Sequence, residues 1–223
     1  MKTYKVILFL LLAVFAQHLN AQEVKKPIEV FGFYFDVFVR YDDQALTKLN
    51  DYLKPAVAGK DAYQVNLKNV SEEMIKTSAE NFLSVFPKDV AAACKKESED
   101  YFRVLYENFQ NGKMSVKKID LVQNEYVPDQ KIAKVTYSVS FKVPSQLSEV
   151  IVPDSQKAKS EDLKKFLSQV IEKFKKADKT VTTDQEFSLY GLNQDGKVYY
   201  WNGSPDQITS SLIDFYFEGF GIK

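Results

Sequence analysis

The clearest pattern in the chain is a strict alternation over Ala133–Val143. Ala133, Val135, Tyr137, Val139, Phe141 and Val143 share one face, and Lys134, Thr136, Ser138, Ser140 and Lys142 take the other. A period of two with one apolar and one polar side predicts an antiparallel strand, packed on one face and wet on the other. Val116–Val122 reads as a second strand. Thr180–Leu192 and Lys197–Trp201 read as a hairpin around Asn193-Gln194-Asp195-Gly196.

Elsewhere the period is helical. Leu46, Leu49, Tyr52 and Leu53 follow a capping Asp42 or Asp43 and stop before Pro55. Ser71 opens a helix carrying Ile75, Ala79, Phe82, Leu83 and Phe86, and Asp89 opens another through Tyr101, Leu105 and Phe109. Ser160 starts a helix with Leu163, Phe166, Leu167, Val170, Ile171 and Phe174 on one side. Ser204-Pro205-Asp206-Gln207 is a capping box for a last helix ending near Gly219. Ala56–Asn69 has little periodicity and reads as a loop, with room for a short strand. Ile28–Tyr41 fits both periods: Phe31, Phe33, Phe35, Val37 and Val39 alternate, while Phe31, Phe35 and Phe38 also share a helical face.

Helices interleaved with antiparallel strands make an α+β fold. The expectation is a curved antiparallel sheet against several helices, with one extra helix between strands and one at the C-terminal end. Residues 28–223 form one α+β domain on this reading, after a short mobile leader, Gln22–Pro27.

Met1–Ala21 reads as a secretory signal peptide: Lys2 and Lys5 precede the apolar run Val6–Phe15, and Leu19-Asn20-Ala21 ends on a small residue. Cleavage there removes His18, the only histidine of the chain. The expected location is periplasmic or extracellular, with no transmembrane segment. Without Lys2 and Lys5 the balance is 28 basic to 30 acidic residues, a net of −2, which speaks against nucleic acid as a partner. Cys94, the only cysteine, cannot form an internal disulfide and reads as a small buried apolar residue. No metal-ligand cluster and no cofactor motif stands in the sequence.

The candidate chemistry is therefore narrow. Asp36 is an acid within the most apolar segment and could serve as a general base if desolvated, whereas an Asp36–Arg40 ion pair at helical spacing is the structural alternative. Asp42-Asp43 is explained by capping. The lysines around Ser160–Ala177 suit a solvated face better than a glycan or lipid surface, because Glu161, Asp162, Glu172 and Asp178 dilute them. Tyr199-Tyr200-Trp201 is either a stacking platform for sugars or part of the core.

The aromatic segment Phe31–Tyr41, the short helix Asp43–Leu53, the helix ending at Phe109, and the strands Ala133–Val143 and Lys197–Trp201 follow one another in a known order. That order resembles the nuclear transport factor 2-like superfamily, a cone of curved antiparallel sheet wrapped around helices. The last two strands are similar to its central strands. The helices Ser160–Ala177 and Pro205–Glu218 depart from its pattern. The resemblance implies a concavity in which Asp36, Tyr34, Arg40 and Tyr137 would be the analogues of its site residues.

The leading expectation is an exported, non-enzymatic domain that binds a small molecule, glycan or envelope protein in an aromatic-lined concavity formed by Tyr34, Arg40, Tyr137, Tyr199 and Trp201. One alternative is a histidine-free proton-transfer enzyme of isomerase or dehydratase type using Asp36 with a tyrosine. Another is an interaction module of the cell envelope, with an exposed apolar patch on Ser211–Ile222.

Overall fold

The computed structural model describes residues 24–147 and 150–218, so the signal-peptide segment and the chain end near Gly219 lie outside the described residues. Five helices come first: α1 (Pro27–Phe38), α2 (Asp43–Leu53), α3 (Leu67–Leu83), α4 (Lys88–Ala93) and α5 (Lys95–Gln110). Strands β1 (Lys113–Gln123) and β2 (Lys131–Val143) follow, then α6 (Ser160–Lys175), β3 (Lys179–Gln194), β4 (Lys197–Trp201) and α7 (Asp206–Glu218). The chain is α+β, with an open four-stranded antiparallel sheet in the order β1-β2-β3-β4. The extra helix between strands and the helix after the last strand are both present as α6 and α7.

The ambiguous aromatic segment is a helix. Pro27 stands at its start with its φ already set, and Glu29 accepts the Lys26 backbone N–H at 3.0 Å. The helix therefore takes in Pro27, the last residue of the expected leader. Val30, Phe31, Tyr34, Phe35 and Val37 are buried, the spacing of one helical face rather than of a strand. Phe31 lies 4.7 Å from Tyr137 of β2 and 5.8 Å from Phe187 of β3, ring centre to ring centre. This helix fills the inner side of the sheet. An antiparallel meander of aromatic-bearing strands needs a cover on one face, and α1 supplies it.

β2 is central, paired with β1 and β3, and its predicted apolar face is fully buried. β4 is the edge strand, not a central one as the family resemblance implies. Its turn from β3 is Asp195-Gly196, with φ of 50° and 75°, the left-handed pair that a tight hairpin needs. At the other end of the core Phe109 stacks on Phe141 at 5.3 Å, and Tyr216 of α7 packs against both.

Three boundaries differ from the sequence expectation. α3 begins at Leu67, because Asn66 rather than Ser71 caps it, accepting the Asn69 N–H at 3.0 Å. The Ala56–Asn69 loop shortens accordingly, and its start is a 3-10 turn over Lys54–Val57. The helix expected from Asp89 to Phe109 is broken in two at Cys94, whose φ of −111° and ψ of 8° leave the helical region.

Candidate functional site

β4 is only five residues long and pairs with just Tyr190–Gln194 of β3, so the ladder stops partway along the longer strand. Asn202 takes over where it stops. Its side-chain amide donates to the Ser188 carbonyl at 2.7 Å, continuing the edge contact by one step. Its side-chain oxygen accepts the Ser204 N–H at 2.7 Å, which turns the chain toward α7. Thr209 of α7 then donates to the Phe38 carbonyl at 2.6 Å, tying the helix to the end of α1.

Behind Asn202 stands a ring of hydroxyls. The Asn202 N–H donates to the Tyr34 oxygen at 2.9 Å, the two tyrosine hydroxyls lie 2.8 Å apart, and Tyr63 donates to the Asn202 carbonyl. Tyr63 and the Asn202 N–H each spend their donor on the ring, so the shared proton must come from Tyr34. The three groups form a closed, one-directional cycle. Burial pushes Tyr34 far above the ordinary phenol value, and the Tyr63 charge would add to that; burial lifts Tyr63 to about 12. Both stay protonated at any physiological pH. Asn50 holds Tyr63 in place with a reciprocal pair of bonds to its backbone, each 2.9 Å.

In front of Asn202 is a cleft of about 730 Å³. Trp201, Tyr190 and Phe187 give it apolar surface, and the amides Asn124, Gln130 and Gln207 line it with hydroxyls from Ser188, Ser204, Ser210 and Ser211. Its lining holds one carboxylate, Glu186, and no lysine or arginine. The volume falls within the roughly 300–1,000 Å³ typical of small-molecule sites. Gly203 closes one wall, where a Cβ would come within 2.7 Å of the Trp201 ring.

The predicted site residues separate into three groups. Trp201 lines the cleft. Tyr34, Tyr137 and Tyr199 are buried in the core and do not line this cleft. The concavity that should have exposed them is occupied by α1. Arg40 and Asp36 form an i,i+4 ion pair at 2.7 Å on the outside of α1, with their side chains 41% and 33% exposed. Arg40 also donates to the Gly112 carbonyl and lies over the Phe35 ring. Asp36 is therefore not the desolvated acid that proton transfer requires.

The patch expected on Ser211–Ile222 is also reduced: Leu212 and Tyr216 are buried, and Ile213, Phe215 and Phe217 pack partly against the core. Residues 219–222 lie outside the described residues.

Sequence reasoning missed Asn124, Gln130, Glu186 and Gln207. Asn124 and Gln130 were legible only as the ends of a strand connection, and Glu186 as one polar position in a long strand.

No family model matches the chain, and no curated protein matches it. Among solved structures, a "putative lipoprotein" (ycdA) of Bacillus subtilis is similar at 15% identity and a TM-score of 0.37. The match covers 78% of this chain and spans 59% of that one. Among the described residues, no helix is long and apolar enough to cross a membrane, and no cluster of His, Cys, Asp and Glu is placed to hold a metal.

Proposed function

We propose that the protein is exported and binds a neutral, hydroxyl-rich ligand, a glycan, in the cleft beside Trp201. The single observation that carries this reading is the composition of the lining. An indole face is set among primary amides and hydroxyls, with no cation to attract phosphate or carboxylate. Sugars present an apolar C–H face and a rim of hydroxyls. An indole stacks on the first, and amides, which donate and accept at once, satisfy the second.

Export rests on the Met1–Ala21 segment. The reading is non-enzymatic, since Asp36 is engaged with Arg40 and the tyrosines Tyr34 and Tyr63 are locked in a closed hydrogen-bond cycle. It stands without the superfamily resemblance, which concerns the order of elements and not this cleft.

Trp201 is the only tryptophan of the chain, so fluorescence excited at about 295 nm, where tyrosine scarcely absorbs, reports on the cleft. A glycan array should identify neutral glycans that bind. The same glycans should shift Trp201 emission in solution, and Trp201→Ala should lose them while keeping the far-ultraviolet circular dichroism of the parent. Retained binding in Trp201→Ala would move the site elsewhere.

A further inference from the structure

Most of one edge of β3 is left unpaired. β4 covers only Tyr190–Gln194, and the Asn202 side chain takes the Ser188 carbonyl. Alternate residues of a strand turn their N–H and C=O toward the same edge, so Glu186, Asp184, Thr182 and Thr180 face the side that Ser188 faces. All four residues are exposed, and among the described residues no hydrogen-bond partner reaches their backbone groups on that side. The opposite edge of the sheet is guarded. β1 carries Lys113, Lys117 and Lys118 and a register break between Val116 and Lys118, the devices that keep a free edge from pairing. From Thr180 to Gly196 there is no lysine, arginine or proline, and the β2–β3 register runs unbroken from Lys179 to Tyr190. Such an edge is a template for one more strand.

α7 follows this edge. Gln207, Ser210 and Ser211 share the cleft with Glu186 and Ser188, and Tyr216 packs on Phe141, which pairs with Val181. The helix therefore runs along β3 from Ser188 toward Thr180. Asp214 and Glu218, one and two turns beyond Ser211, continue its exposed face. From Thr180 to Glu218 the charged residues are Asp184, Glu186, Asp195, Asp206, Asp214 and Glu218 against Lys197 alone. Lys117 matches Asp184, but Glu186, Asp214 and Glu218 have no ion partner among the described residues.

A second copy of the chain would set this acidic face against itself. We propose instead that the Thr180–Glu186 edge takes an extended, lysine- or arginine-bearing segment of a partner protein as a fifth strand. Its backbone pairs with Thr180, Thr182, Asp184 and Glu186. Its cationic side chains meet Glu186 on one face of the sheet and Asp214 and Glu218 on the other. The inference is independent of the glycan reading, whose cleft shares only Glu186 with this stretch of edge.

The test follows the anisotropy of a fluorescein-labelled octapeptide alternating lysine and threonine, at low ionic strength. The same peptide N-methylated at every residue keeps its charge and loses its backbone donors, and should bind at least about tenfold more weakly. Thr182→Pro removes an N–H that points to the open edge and spares the β2 ladder. It should weaken the lysine peptide about tenfold while keeping the parent's far-ultraviolet circular dichroism. Asp214→Asn combined with Glu218→Gln should weaken it about fivefold, an effect that fades as salt rises. Trp201→Ala should bind the peptide like the parent. No binding of the lysine peptide, or equal binding of its N-methylated form or of a glutamate–threonine octapeptide, overturns the proposal and leaves the glycan reading untouched. Self-association that Thr182→Pro abolishes overturns it too, because the edge then belongs to a second copy.

Discussion

Tyr34 and Tyr63 meet hydroxyl to hydroxyl at 2.8 Å, twenty-nine residues apart in the chain, and Asn202 joins both of them. The relationship explains how the link from β4 to α7, which starts at Asn202, can be rigid enough to shape a cleft. Every polar atom of Asn202 is used: its N–H by Tyr34, its carbonyl by Tyr63, its side chain by Ser188 and Ser204.

Tyr34→Phe removes the acceptor for a buried N–H and the donor to Tyr63. It should cost about 1–3 kcal/mol, read as a lower urea midpoint at unchanged slope. Tyr63→Phe should cost a similar amount. The double variant should cost clearly less than the sum, because each single change already opens the cycle. Strict additivity would mean that the three bonds do not act together.

Stability should fall at alkaline pH. Burial raises Tyr41, Tyr52, Tyr63 and Tyr101 to about 12, and Tyr34, Tyr137 and Tyr216 higher still, against an ordinary value of 10.0. Between about pH 10 and pH 12 the unfolded chain has lost protons that the folded chain keeps. Folding free energy therefore declines as pH rises through that window and is fully present below it. Absorbance at 295 nm should show these phenols ionising together with unfolding, not before it. Separate, earlier ionisation with retained circular dichroism would contradict their burial.

Asp36 and Arg40 should behave unequally although they are partners. Their ion pair is a solvent-facing i,i+4 contact, and Asp36→Asn should change stability by no more than about 0.5 kcal/mol. Arg40 has two further contacts, the Gly112 carbonyl at 3.2 Å and the Phe35 ring at 5.1 Å. Arg40→Ala should cost about 1 kcal/mol or more. Equal effects would reduce Arg40 to its ion pair.

Legibility followed the range of the forces involved. The alternation of Ala133–Val143 and the Asp195-Gly196 turn are local, and both were readable. Ile28–Tyr41 was not, because its β-branched and aromatic residues favour a strand while the start that decides for a helix is set at and just before its first residues, by Lys26, Pro27 and Glu29. Ser71 read as the cap of the next helix, but the buried Leu67 draws the start back to Asn66. Nothing in Ala91-Ala92-Ala93-Cys94 signals a break, and the break there is a tertiary event. Of the site, Trp201 was visible as an aromatic. The cleft was not, since it forms only when the Asn124–Gln130 turn, β3 and the Asn202–Ser204 link come together. Tyr63, which anchors that link, sits in a stretch with no period at all.

Gly203 gives the sharpest test of how the cleft is set. Its backbone is not in the left-handed region, so alanine meets no conformational penalty there. The obstacle is the Trp201 ring: the added Cβ would lie 2.7 Å from one ring carbon and 3.2 and 3.3 Å from two more. The position is exposed, so the ring can swing away from the wall rather than compress a core. Gly203→Ala should therefore fold with a urea midpoint close to the parent's, within about 1 kcal/mol of its stability. Its tryptophan emission should shift, and its binding on the glycan array should weaken as strongly as in Trp201→Ala. If instead Gly203→Ala binds and fluoresces like the parent, the indole has another seat of equal energy, and the close fit between Gly203 and Trp201 does not set the cleft wall.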